Sequence, residues 1–493
     1  MSRIRSRALP LLLLIVAACR RQPSGEQLAQ TYCAVCHAFP APALLDKKSW
    51  QNGVLPQMAP RLGVPSKTLY DERFQNPNMK VLAQPVAQQD WERIVAYYLA
   101  SAPDSLPPQS LPAAPGLDPP LLSVAPFAPD LPSSGIITLL RADSLHRRIF
   151  VGEGGTSLLR VLDYSGRVLS SVKLGSPPTD IVFTTGHVLV LESGILDPND
   201  QPRGSLVEFD DSLRVSRVLI DSLYRPVCVV PLAANAYAIC EFGNNIGRLA
   251  IYRYDGTRYQ RQVLATTPGA IHVELHDVTG DGVPDLVALF AQADERIVAY
   301  ENDGKGNFPG RQRLLARFPP VYGSMWFTMR DMNGDGKLDI VYVNGDNFDF
   351  SRVLKPYHGV RILENDGKNN FQERWFYPIY GAAQAVVADL NGDGRPDILA
   401  SSNFADLKRH PERGITYLEN AGGYQFRAYA FTAAAGNQWN VMTSADLNGD
   451  GRPDILVGSM NLATVARVQQ RFTRNPGDSG RNALLLFQPR TSR

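Results

Sequence analysis

Beyond about Ser134 the apolar positions fall into short runs bounded by turn residues, and the runs recur in a fixed order. Ala385-Val386-Val387-Ala388 leads into an acidic loop that gives way to Ile398-Leu399-Ala400, and Ile455-Leu456-Val457 follows the next such loop. A third run in each unit ends in a turn: Tyr300-Glu301-Asn302-Asp303-Gly304, Leu363-Glu364-Asn365-Asp366-Gly367 and Leu418-Glu419-Asn420-Ala421-Gly422. Asn-Asp-Gly between apolar runs favours a tight hairpin. The acidic loops begin at Asp277, Asp331, Asp389 and Asp446, so successive starts lie 54, 58 and 57 residues apart. That interval fits one blade of a propeller and exceeds a solenoid repeat. The same rhythm without the acidic loop begins near Ile136, Thr179 and Val227. Three plain units and four acidic ones predict a mostly β fold, a seven-bladed β-propeller over residues 135–493.

The front of the chain has a different period. From Gln88 to Ala100 the residues Trp91, Ile94, Val95, Tyr98 and Leu99 recur at helical spacing and give one apolar face, and Gly25 to Tyr32 reads as a second short helix. These predict a small all-α domain over residues 25–102. Residues 103–132 then hold ten prolines. Proline removes backbone donors and fixes φ, so residues 103–134 are expected to form an extended linker or a strap over the domain surface.

The chemistry sits at Cys33-Ala34-Val35-Cys36-His37. Cys-x-x-Cys-His is the pattern for covalent attachment of a c-type haem, two thiols binding the porphyrin and the next imidazole binding iron. No other cysteine or histidine lies between Gly25 and Ala102, so a tetrahedral zinc site would lack its ordinary ligands. With the flanking helices, residues 25–102 resemble a small class I cytochrome c. The resemblance implies one haem c on Cys33 and Cys36, His37 as proximal ligand, and a methionine opposite it. Met58 and Met79 are the candidates within the segment. The run after Trp50 is similar to the segment that supplies the ligand in short cytochromes attached to larger bacterial proteins, which favours Met58. Met79 lies where many class I cytochromes place theirs.

The repeats Asp277-Val-Thr-Gly-Asp281-Gly-Val-Pro-Asp285, Asp331-Met-Asn333-Gly-Asp335-Gly-Lys-Leu-Asp339, Asp389-Leu-Asn391-Gly-Asp393-Gly-Arg-Pro-Asp397 and Asp446-Leu-Asn448-Gly-Asp450-Gly-Arg-Pro-Asp454 resemble FG-GAP or VCBS-type propeller repeats. Oxygen donors at the first, third, fifth and ninth positions suit calcium, and the loop is similar to the first part of an EF-hand loop. The twelfth position is Ala288, Tyr342, Ala400 or Val457, so the closing glutamate is absent. A metal-free Asx-turn is the other reading of the same residues. Thr279 replaces asparagine in the first copy, which weakens that site. Calcium here is expected to be structural.

Composition changes the picture little: 493 residues, 44% hydrophobic and 20% charged, describe a folded multidomain chain. The formal charge is +2, and loss of Arg3, Arg5 and Arg7 with a leader brings it to −1, which gives no electrostatic reason for binding nucleic acid. Residues 1–18 read as a secretory signal whose apolar run, Ala8 to Ala18, is too short to span a bilayer. Val16-Ala17-Ala18-Cys19 resembles a bacterial lipobox, which implies lipidation of Cys19, a tether over residues 19–24 and a membrane anchor without a spanning helix. Arg20, not an acidic residue, follows that cysteine, which favours the outer membrane or cell surface over retention at the inner one. Cys228 and Cys240 bracket a hairpin pattern and are either a cross-strand disulfide of an exported protein or two buried thiols.

Catalytic patterns are missing: no Gly-x-Ser-x-Gly and no Walker loop. His272 and His276 stand about 13 Å apart along a strand, too far to share one metal. His358 and His410 are expected to be solvated loop residues, and Trp326 and Trp439 to pack between blades. The leading expectation is electron transfer by a monomeric, exported monohaem cytochrome whose propeller docks a redox partner or an envelope component. A propeller oxidoreductase feeding electrons to the haem, as in quinohaemoproteins, and an adhesion or polymer-binding lipoprotein with haem as sensor are the alternatives.

Overall fold

The computed structural model describes residues 22–64, 80–131, 136–347, 351–460 and 483–490. Cys19 and Met79 lie outside the described residues, as does the whole leader.

Seven sheets stand in a ring. Their innermost strands are Ile137–Asp143, Pro178–Thr184, Pro226–Ala233, Ala270–His276, Ser324–Arg330, Ala382–Ala388 and Trp439–Ala445. Each packs on the next, and the last returns to the first. The first three of these strands begin within a residue of the predicted starts. Within each sheet four strands run antiparallel from the axis outwards. The second strand of a blade is covered on both sides by neighbouring blades, which is why Asp285–Phe290, Asp339–Asn344, Asp397–Ser402 and Asp454–Ser459 are buried at every position. Their near-continuous apolar runs answer to that double burial.

The ring closes with a strand that the proline count concealed. Leu122–Phe127 pairs antiparallel with Leu484–Pro489 and is the outermost strand of the last blade. Gly116–Leu117 adds a short parallel rung to the sixth blade. The stretch expected to be linker or strap thus supplies part of the propeller, which begins before residue 135. Pro126 is tolerated because an outermost strand has one edge with no partner that needs its N–H. Strap behaviour does hold at Gln109, whose side-chain amide donates to the His358 carbonyl at 2.8 Å and whose backbone N–H donates to the Tyr380 hydroxyl.

Residues 22–64 and 80–102 form a separate all-helical unit with its own core. Gly25–Cys33 begins on a capping box, the Ser24 hydroxyl accepting from the Gln27 N–H while the Gln27 side chain accepts from the Ser24 N–H. It packs along Gln88–Ser101, and Leu28, Ala29, Trp91, Ile94 and Tyr98 meet Trp50, Val54 and Leu55 between them.

The antiparallel order also sorts the loops. Innermost-to-second connections, which are the acidic loops, and third-to-fourth hairpins emerge on one face. Second-to-third connections and the links between blades emerge on the other. The helical unit sits on this second face: Val321 joins its core, and the Tyr357 hydroxyl donates to the Leu44 carbonyl at 2.9 Å.

Candidate functional site

Cys33 ends the first helix, Cys36 is exposed in the turn that follows, and neither is in a disulfide. The segment after them is pinned by two aromatic donors, the Tyr98 hydroxyl to the Pro40 carbonyl at 2.9 Å and Trp50 Nε1 to the Pro42 carbonyl at 2.8 Å. The two rings pack on each other with centroids 4.4 Å apart. His37 Nδ1 lies 2.8 Å from the Ala38 carbonyl. A carbonyl can only accept, so Nδ1 carries the proton and Nε2 keeps its lone pair, the arrangement that orients a histidine for a metal. Burial holds the imidazole below its ordinary pKa, against the opposing effect of that hydrogen bond, which favours the neutral ligand form. Burial also pushes the Cys33 thiol up to about 11. Met58 stands on Leu55–Arg61, half-buried against the same core. The donor set, two thiols three residues apart, an imidazole with its Nδ1 already bonded and a thioether packed on the same helical core, fits a covalently held haem.

The acidic loops have a geometry of their own. In the second copy Asp331 accepts from the backbone N–H groups of Gly334 at 2.7 Å and Gly336 at 2.7 Å, and Asp335 accepts from Lys337 at 3.0 Å. The pattern repeats from Asp277, Asp389 and Asp446. It depends on left-handed glycines, Gly334 at φ 81° and Gly336 at φ 80°. The ninth positions, Asp285, Asp339, Asp397 and Asp454, are buried, and the first three act as staples to the hairpin of their blade. Asp397 accepts from Leu390 N at 3.1 Å, Asn420 N at 2.8 Å and the Tyr417 hydroxyl at 2.8 Å, tying its acidic loop to the hairpin of the same blade. Burial nonetheless raises its pKa to about 6. Asn333, Asn391 and Asn448 each accept a backbone N–H or contact a neighbouring side chain within their own loops. Among the described residues no three His, Cys, Asp or Glu side chains converge as a metal site. Asx-turn bonds run through each loop from its aspartates to its backbone.

Cys228 and Cys240 are directly opposite on adjacent antiparallel strands, buried and unbonded. The Cys240 thiol holds Cys228 low, and burial pushes Cys240 up. His272, from the next blade, is buried against Trp326 with ring centroids 3.5 Å apart. Burial works to lower its pKa, but Cys228 and Glu274 outweigh that and raise it to about 9. Glu274 lies between the two histidines, 3.6 Å from His272 Nε2 and 2.6 Å from His276 Nε2, so the pair serves a part-buried carboxylate. Trp439 is buried on its inner strand, as expected. His410 is half-exposed. His358 is not the solvated residue expected: it is 1% exposed, and burial beside Lys355 and Arg361 keeps it neutral. Gln109 and Tyr357 of the strap and the domain contact cover it, which no local pattern could announce.

Sequence reasoning missed the charged residues at the domain contact. Arg61 Nη2 donates to Asn245 Oδ1 at 3.1 Å, and Asn245 in turn donates to Asp200 through its backbone N–H at 2.7 Å and its amide at 3.1 Å. Asp294 accepts from Arg317 at 2.7 Å and Arg296 at 2.8 Å.

FG-GAP-like repeats match residues 277–342 and 343–400, and an FG-GAP repeat matches residues 438–467. The propeller is thus built in part from FG-GAP repeats, a binding and docking architecture. No curated protein matches the chain. Among solved structures it is similar to the N-terminal domain of Nup159, at 12% identity over 77% of this chain and 98% of that one with a TM-score of 0.44. It is also similar to BamB from Moraxella catarrhalis, at 10% identity over 76% of this chain and 99% of that one with a TM-score of 0.40. Scores at this level carry no weight for function, and the blade count rests on the strand pairing of the chain itself.

Proposed function

We propose that the chain is an exported, membrane-anchored monohaem cytochrome c that transfers electrons, its propeller serving as the docking module. The observation that carries this reading is the His37 ring, whose Nδ1 proton is committed to the Ala38 carbonyl beside two unbonded thiols at positions 33 and 36. A haem held there would supply one-electron exchange at iron; the chain's part would be to hold it by Cys33 and Cys36, to direct His37 Nε2 at the metal and to offer Met58 from the helix Leu55–Arg61. Transfer of an electron needs no acid or base, which suits a chain without a catalytic motif. Anchoring rests on acylation of Cys19, and among the described residues no helix is long and apolar enough to cross a membrane.

Met58→Ala tests the ligand set. The oxidised protein should lose the weak red absorption band of methionine-ligated haem while keeping covalent haem, and a band that persists excludes Met58 as the sixth ligand. For the acidic loops, the proposed cation is calcium on Asp277, Asp331, Asp389 and Asp446 with their fifth-position partners. Chelation should lower the propeller's melting temperature by several degrees with the haem spectrum unchanged. A melt identical with and without chelator means that the Asx-turn bonds suffice.

A further inference from the structure

The outermost strands of the propeller differ in how their arginines are held. On the second, fifth and sixth blades each arginine pairs with a carboxylate of the strand inside it: Arg217 with Glu208, Arg374 with Glu364 and Arg427 with Glu419. On the third and fourth blades the outermost strands, Tyr259–Ala265 and Gln312–Arg317, contain no Asp or Glu. Arg258, Arg261, Arg311 and Arg313 are exposed on these strands or just ahead of them, and among the described residues none of the four is in an ion pair. Arg313 reaches only a backbone carbonyl, that of Lys368 at 3.5 Å. Asp255 and Asp303, in the adjoining hairpin turns, are committed to backbone N–H groups of Thr257 and Arg258 and of Lys305 and Asn307. Guanidinium groups left without carboxylates are ready to take them from outside. The fourth-blade strand is the last of its sheet, so among the described residues no strand lies against its outer backbone edge, and Leu314 is exposed on it.

The sixth blade shows what such an edge accepts. Gly116–Leu117 adds a parallel rung to Tyr429–Ala430 from outside. Asp118 follows, its N–H donating to the Ala430 carbonyl at 2.9 Å and its carboxylate accepting from the Thr432 N–H at 3.0 Å and hydroxyl at 2.6 Å. The added segment is extended, apolar and then acidic.

We propose that the outer edge of Gln312–Arg317 docks an extended acidic segment of a partner protein, which joins the fourth blade as a fifth strand. Its backbone pairs with that edge, its carboxylates meet Arg311 and Arg313, and an apolar side chain covers Leu314. The inference names the partner's chemistry for the docking role given above, and it rests on that role and not on the haem. Arg258 and Arg261 of the third blade widen the positive field through which the segment arrives. Val321, four residues past the end of this strand, belongs to the core of the helical unit, so a partner laid along the edge lies beside that unit. Charged edge residues also keep copies of a chain from pairing edge to edge, and the two roles give different results below.

The test titrates the full chain into a fluorescent peptide of alternating glutamate and valine, read by anisotropy. The wild-type chain should bind it, and the double variant Arg311→Gln with Arg313→Gln should bind roughly three- to tenfold more weakly, the effect of losing two exposed charge contacts. Arg374→Gln and Arg427→Gln, on the outermost strands of the fifth and sixth blades, should bind within about twofold of wild type. The same peptide methylated at alternate backbone nitrogens should not bind, because it cannot complete a ladder of hydrogen bonds. All the substituted side chains are exposed, and the variants should melt as the wild type does. Equal binding of the methylated peptide, or an equal loss in the Arg374 and Arg427 variants, overturns strand addition at this edge. A wild-type chain that does not bind the peptide overturns it as well, and binding of heparin fragments or anionic phospholipid vesicles in its place assigns the rim to a glycan or a membrane. A double variant that self-associates in sedimentation and binds the peptide as before makes the arginines guards of the edge, which also overturns the proposal. Each of these failures leaves the electron-transfer reading standing, since peptide binding is measured without reference to haem.

Discussion

A chain in which Cys33 and Cys36 are both replaced by alanine should carry no covalent haem when exported from a cell competent in cytochrome maturation. Denaturing gels stained for haem should show a band for the wild-type chain and none for the variant. The expectation follows from bond type: porphyrin held only by His37 and a thioether dissociates on denaturation, whereas thioether bonds survive it. The effect is all or none. The propeller should melt as before, since among the described residues only Val321 and Tyr357 of the propeller join the core of the helical unit. A stained band from the double variant would mean that the porphyrin, if any, is attached elsewhere.

Asp397→Ala should cost the propeller about 3–5 kcal/mol, read as a shift of the urea midpoint, because it strips a buried carboxylate from three donors and leaves Leu390 N, Asn420 N and the Tyr417 hydroxyl without acceptors. Hydrogen bonds to a charged acceptor contribute about 1.5–3 kcal/mol each, and orphaned buried donors cost more than the bond itself was worth. With calcium chelated, so that the proposed cation plays no part, Asp393→Ala, four residues earlier and exposed, should change stability by well under about 1 kcal/mol. Asp397→Asn, which keeps one acceptor oxygen, should fall between them. Equal losses at Asp393 and Asp397 under the same calcium-free conditions would contradict the staple.

Much of the propeller was legible because its repeat combines local demands. Gly-Asp-Gly needs two left-handed glycines, met at Gly280 and Gly282 as well as in the later copies. Asn-Asp-Gly sets the hairpin, and the doubly buried second strand shows as an unbroken apolar run. Leu122–Phe127 was not legible, because its partner lies more than 350 residues on and its own composition reads as linker. The ninth-position aspartates were read as ligands from their spacing, yet Asp285, Asp339 and Asp397 also answer to the backbone N–H groups of Asn302, Asn365 and Asn420, which no local pattern links to them. Cys33, Cys36 and His37 could be read together as a proposed haem motif because attachment chemistry is local. The Arg61–Asn245 bond was not legible, because only the docking of one unit on another makes it.

The proposed electron transfer requires that a porphyrin be bonded to the front of the chain. The intact mass of the full-length exported protein, recorded under denaturing conditions with its optical spectrum, measures this directly. The account predicts a mass greater than that of the polypeptide and its lipid by one haem, together with haem absorption that stays with the unfolded chain. A colourless protein, or one whose mass is accounted for by polypeptide and lipid alone, contradicts it.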